Sequence, residues 1–348
     1  MTESTRGAAG GWTLAGPVAA RLAGTYPLID TYHGEHLRRH LPATVHRAAD
    51  LVAEETALAT PGQPEVVMVS RREWAERNLA TFSHLLAPLE SKLAERLEGG
   101  PAGIARQLVA VETGALLGFL ARRVLGQYEL VLPGGDHGDV IALVGANVLS
   151  LERQQQFNPR EFRLWIALHE ATHRAQFVGV PWLRGYFLSL VTDLVSAATP
   201  SPGRLARLVA EAIQASKEGR PLIDETGILG LLASPEQRAS LDRVQALMSL
   251  LEGHGHVVMD RIGARVLRSQ ERMSALLKAR RHDPRTRAFF RLTGLEMKMR
   301  QYEIGARFIQ VVEREAGWHA LDRAWQGPEW LPTIGEIEEP SRWLERAA

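Results

Sequence analysis

His169, Glu170 and His173, in the stretch LHEATHRAQF, are the residues whose types and spacing could do chemistry. On a helix, side chains four apart lie one turn above each other, so His169 and His173 project from one face and can reach a single cation. Glu170 lies about 100° round the same turn, where it can hydrogen-bond a water beside that cation without being a ligand itself. This is the position of a general base. A bound metal lowers the pKa of water towards roughly 7, and the carboxylate takes the proton as the water attacks a carbonyl. Phe162, Leu164, Trp165, Ile166, Ala167 and Leu168 make the helix apolar nearly all round. It should therefore be buried, and its two histidines and glutamate need partners. The competing reading is a core cluster whose polar groups satisfy one another.

A catalytic zinc takes three protein ligands and keeps one position open. The metzincin pattern HExxHxxGxxH would require a glycine at 176 and a histidine at 179, where this sequence has Gln176 and Gly179, so that class is excluded. A thermolysin-like spacing falls on Asp193, whose short side chain reaches less far. The better candidate is Glu252, in SLLEGHGHVVMD. Glu252 and His256 stand one turn apart on an otherwise apolar helix, and Gly253 and Gly255 leave room for close approach of backbone or ligand. This arrangement is similar to that of the gluzincins, in which a second helix supplies a glutamate ligand and the residue four later supports the metal shell. That supporting residue is usually acidic there, and His256 occupies its place here. The order of preference for the third ligand is Glu252, then His256, then Asp193. His254 and Tyr302 are candidate hydrogen-bond donors to the transition state, each weighed against a plain packing role.

These side chains need elements to hold them. Asn158 can cap a helix, Pro159 suits its first position and Glu161 sits where a capping-box glutamate reaches back, which predicts a helix from Pro159 to Phe177 that stops near Gly179. Just upstream, QYELVLP (127–133) and DVIALV (139–144) flank the turn-rich GGDHG and read as a β-hairpin. A second helix starts at Ser234, Pro235, Glu236 and Gln237 and carries the EGHGH segment. Residues 1–125 read as an N-terminal helical region, exemplified by REWAERNLATFSHLLAPLESKLAERL. Residues 126–348 read as the catalytic region, the two together forming one compact unit. The Pro- and Gly-rich stretch 196–226 reads as a surface insertion, a connector in preference to a lid. The last third is helical to about Ala316 and ends in the Trp- and Pro-rich WQGPEWLPTIGEIEEPSRWL. The expected fold is mainly α, with a small β-hairpin or sheet next to the HExxH helix.

Composition narrows the chemistry further. Absence of cysteine removes thiol nucleophiles, iron–sulfur clusters, disulfides and thiolate zinc sites together, so any metal must be held by His, Asp and Glu. Such ligands suit zinc and also accept cobalt, manganese or iron. The 41 Lys and Arg nearly cancel the 40 Asp and Glu, so no global field favours nucleic acid or an anionic membrane. The N-terminus has no apolar core of the kind a secretory signal needs, and no run of about 18 apolar residues occurs. The expectation is a cytoplasmic protein without nucleic-acid or membrane partners; the sequence sets no oligomeric state.

The block NVLSLERQQQFNPREFRLWIALHEATHRAQFVGVPWLRGYF, the later SPEQRASLDRVQALMSLLEGHGHVVMD and the C-terminal KMRQYEIGARFI resemble the zincin-like metallopeptidases associated with biosynthesis of the deazaflavin redox coenzyme. The resemblance covers most of the chain. It implies a helical, zincin-like hydrolase with one zinc per chain, His169 and His173 as ligands, Glu170 as base and Glu252 as a further ligand. The deazaflavin itself is not expected as a cofactor, because no Gly-rich phosphate loop follows a strand. The expected substrate is a peptide or small amide. A zincin-shaped binding or scaffolding protein without turnover, and a zinc hydrolase of a non-peptide amide, stand as the alternatives.

Overall fold

The computed structural model describes residues 14–96, 101–130, 138–197, 235–281 and 296–347. The chain divides into two compact units. The first comprises Met1–Gly179 together with Ile262–Gln270, and the second Val180–Arg261 with Glu271–Ala348. The break anticipated near residue 125 falls inside the first unit. The stretch 196–226 lies almost wholly outside the described residues, as does the Ser234 cap.

Six helices of the first unit surround a three-stranded sheet. In chain order they are α1 (Ala15–Ala23), α2 (Tyr32–Thr56), β1 (Glu65–Val69), α3 (Arg71–Arg96), α4 (Pro101–Ala121), β2 (Gly126–Glu129), β3 (Val140–Val144), α5 (Gly145–Gln154) and α6 (Pro159–Gly179). All five residues of β3, VIALV, are buried, as a continuous apolar run demands of a central strand. On one side β2 pairs antiparallel to β3, with Tyr128 opposite Ile141, which realises the expected hairpin. On the other side β1 runs parallel to β3, Glu65 opposite Val140. This third strand stands in the region read as wholly helical, which is thereby corrected. EVVMV is β-branched and bounded by Pro64 and Ser70, but a parallel partner 75 places away in the register leaves no local trace.

Helix α6 begins where its cap is written. The Asn158 side-chain oxygen accepts the backbone N–H of Arg160 at 3.0 Å and of Glu161 at 3.4 Å. Glu161, expected to reach back into a capping box, is engaged elsewhere: its Oε2 accepts both the backbone N–H and the hydroxyl of Ser269, at 2.9 and 2.5 Å. The segment Ile262–Gln270 is thus bound into the first unit, and Arg265 adds an ion pair to Glu55 at 2.6 Å. Two buried guanidiniums anchor α6 itself. Arg163 grips Glu152 of α5 through two hydrogen bonds, and Arg174, 1% exposed, grips Asp139 at the entrance to β3. Helix α2 packs along α6.

In the second unit the described elements are α7 (Leu183–Ala197), α8 (Pro235–Val266, whose last turn belongs to the first unit), α9 (Gln270–Arg281), α10 (Glu296–Ala316), two 3₁₀ turns (Trp318–Trp325 and Pro328–Trp330), α11 (Ile334–Glu338) and α12 (Pro340–Ala347). Helices α8 and α10 approach closely at two glycines: a methyl on Gly253 would lie 2.2 Å from the Gly305 carbonyl carbon. The Trp- and Pro-rich tail is anchored by a few buried side chains, Leu331, Ile337 and Trp343. Trp343 is fully buried, donates its indole N–H to Trp330 O at 2.8 Å and meets Phe308 edge to face. Among the described residues, no helix is long and apolar enough to cross a membrane.

Candidate metal centre

His169 and His173 leave α6 on one face, each half-buried, with ring centroids 4.6 Å apart and planes at 85°. Their Nε2 atoms lie 3.2 Å from each other. Two imidazole nitrogens at about 2.0–2.1 Å from one tetrahedral zinc stand about 3.3 Å apart. The observed separation therefore fits two ligands of a single ion. The pair also fits chemically. Nδ1 of His173 lies 2.9 Å from the Oε1 of Gln176, a residue with no exposed surface. With this amide oxygen as acceptor, the Nδ1-protonated tautomer of His173 is the one that leaves its Nε2 lone pair for a metal.

Glu170, 6% exposed, points to the edge strand of the sheet. Its Oε2 accepts the backbone N–H of Tyr128 in β2 at 3.0 Å. Below that bond stands Gly126, where a methyl would come within 2.8 Å of Glu170 Cγ and 2.9 Å of Oε1. The Tyr128 ring stacks on Phe177, one face further along α6. Strand β2 is held in turn by α3: Trp74 donates its indole N–H to Gln127 Oε1 at 2.8 Å, and Arg77 forms a two-point ion pair with the buried Glu129, at 2.6 and 2.5 Å. The guanidinium, held by the Glu129 hydrogen bond, has its pKa raised.

The remaining candidates lie in the second unit. Glu252 of α8 is buried, at 5% exposure, as a ligand carboxylate should be. His256, one turn on, is 7% exposed and places Nε2 3.4 Å from Asp260 Oδ2, so the stripe Glu252, His256, Asp260 continues the acidic support at one further turn. His254 is enclosed by two indoles: it stacks on Trp318 with centroids 5.7 Å apart and meets Trp325 edge-on at 5.2 Å. Asp193 of α7 is exposed, which removes the desolvated setting a zinc ligand would share with the histidines. Tyr302 lies in the first turns of α10, and its side chain is outside the described residues.

Of the groups that orient the site, Gln176 carries a signal in the sequence and the strand residues do not. Gln176 was visible one turn beyond His173, and its helical spacing was the available signal. Gly126 and Tyr128 gave none, since their link to Glu170 spans 42 residues.

The zincin-like metallopeptidase family model matches residues 11–344. A solved structure from Chloroflexus aurantiacus, described as a candidate hydrolase with a novel fold, is 31% identical, with a TM-score of 0.73 over 96% of this chain and 97% of that one. No curated protein matches the chain. With its HExxH histidines converging on α6, the chain belongs to the zincin-like metallopeptidase family.

Proposed function

We propose that this protein is a zinc-dependent hydrolase of amide bonds, most consistent with a peptidase, with Glu170 as its general base. The observation that carries the reading is the convergence of the His169 and His173 Nε2 atoms at 3.2 Å, one residue from a buried carboxylate fixed by the edge of the sheet. Glu252 is the third ligand in this reading. Its support is the chain's membership of the zincin-like family together with the burial of its carboxylate on α8.

Zinc, when bound, would polarise the carbonyl under attack and make water a nucleophile near neutral pH. Glu170 takes the proton from that water. The Tyr128 N–H on Oε2 fixes the carboxylate for this transfer. The proton then passes to the amide nitrogen as the C–N bond breaks, so the amine leaves neutral and the new carboxylic acid keeps the water's second proton. The Gln176 carbonyl holds the His173 ring so that its Nε2 lone pair stays available throughout.

The test is Glu170→Gln, assayed for zinc content and for hydrolysis of a mixed peptide library. The expected result is full zinc occupancy with turnover reduced by roughly 10²–10⁴-fold, the usual worth of a general base. Full activity in that variant would overturn the assignment of the base. A zinc-loaded wild type that hydrolyses no peptide and no small amide would put a binding protein in place of an enzyme.

A further inference from the structure

We infer that Gly126 is a positioning residue for the base: its missing side chain is the space in which the Glu170 carboxylate is seated. The inference rests on the reading of Glu170 as general base. Glycine is needed for its backbone freedom where φ is positive, as at Gly24, Gly62 and Gly317. Gly126 is not among these; it sits in the regular antiparallel register of β2, opposite Leu143. Gly126 opens β2, and strands are depleted in glycine, so neither its backbone conformation nor strand propensity calls for one there.

What a side chain there would meet is Glu170. The three nearest atoms to an added methyl are Cγ at 2.8 Å, Oε1 at 2.9 Å and Cδ at 3.0 Å, all on that one residue. Two residues along, the Tyr128 N–H holds Oε2. Gly126 and Tyr128 share one face of the pleat direction, as positions i and i+2 do, so the strand offers the carboxylate a recess and then a donor. The strand that presents them is itself fixed, by Trp74 on Gln127 and Arg77 on Glu129. The end of a glutamate side chain is flexible, whereas this strand is braced. A methyl at 126 would therefore displace the carboxylate in preference to the strand, breaking its bond to Tyr128 and moving the base away from the water it must deprotonate.

The test is a thermal-unfolding cycle over wild type, Gly126→Ala, Glu170→Ala and the double variant, together with zinc titration and peptide turnover of the first two. The expected result is that Gly126→Ala lowers Tm when Glu170 is present and does not lower it when Glu170→Ala has emptied the recess. Zinc affinity of Gly126→Ala is expected to equal that of the wild type, and kcat to fall on the order of 10²-fold, the scale of an ångström's misplacement, with KM little changed. If Gly126→Ala alone fails to fold, the double variant decides: its folding supports the contact and its failure overturns it. An equal Tm penalty in both backgrounds, or wild-type kcat in Gly126→Ala, would overturn the proposal. Full activity of Glu170→Gln would instead overturn the base on which it rests, while the unfolding cycle would still report the contact.

Discussion

The Nδ1 of His173 and the Oε1 of Gln176 stand 2.9 Å apart on consecutive turns of one helix. The acceptor is a neutral amide where many zinc-binding histidines meet a carboxylate, so the ring is oriented without being made more basic. Gln176→Leu should weaken zinc binding by about 10–100-fold, the usual cost of losing such a partner, while Gln176→Glu should bind at least as tightly as wild type. Competition against a chromogenic chelator measures both. Equal affinity in all three proteins would show that the amide is only a packing group.

Removing a ligand should remove the ion. Protein purified without chelator or histidine tag is expected to carry about one zinc per chain, as a three-ligand site requires, and His173→Ala and Glu252→Ala are each expected to lose it. Elemental analysis decides the matter, and retention of zinc in Glu252→Ala would move His256 ahead of Glu252 as the third ligand.

The guanidinium of Arg174 is next to His173 but serves the scaffold. It is 1% exposed and is shared between Asp139 and the carbonyls of Pro61 and Gly62. Asp139→Ala leaves that charge buried with its carbonyl acceptors alone. Breaking a buried pair in this way costs about 3–5 kcal/mol, and because Asp139 is 35% exposed the lower end is expected here. Denaturant unfolding of the variant gives the number; a change under about 1 kcal/mol would mean that water readily replaces the carboxylate.

The Ser269 hydroxyl and backbone N–H hold the Glu161 carboxyl below the ordinary glutamate value of 4.5. A pKa lowered by folding means that the unfolded chain binds the proton more readily. The stabilisation is therefore full above about 4.5 and fades as pH falls through the lower folded value. Wild type should exceed Glu161→Gln in stability at pH 7, and the two should converge in acid. A gap that stays constant as the pH is lowered from 7 through the acid range would assign the difference to shape instead of charge.

The HExxH turn and its helix were legible because everything that specifies them is local. His169, Glu170 and His173 share one turn, and Asn158 caps the helix from the adjoining residue. The hairpin of β2 and β3 was legible for the same reason, its strands being close in sequence. Strand β1 was not, because the parallel partner that makes EVVMV a strand comes only after two long helices. Glu161 satisfied a local rule and obeyed a distant one, trading a capping box for Ser269, 108 residues away. Gly126 was opaque for a further reason. A glycine is usually read through its backbone, and here it is explained by the side chain of another residue.

The recruitment of Ile262–Gln270 into the first unit has a consequence for how the protein is made. A ribosome releases the HExxH helix long before it releases Arg265 and Ser269, so Glu55 and Glu161 wait for their partners through the synthesis of about half of the second unit. The nascent first unit is thus an unfinished body, and contacts of such long sequence separation form late and slowly. A stop anywhere between Gly179 and Ile262 would yield a chain that carries both histidines yet lacks the clasp that completes their unit.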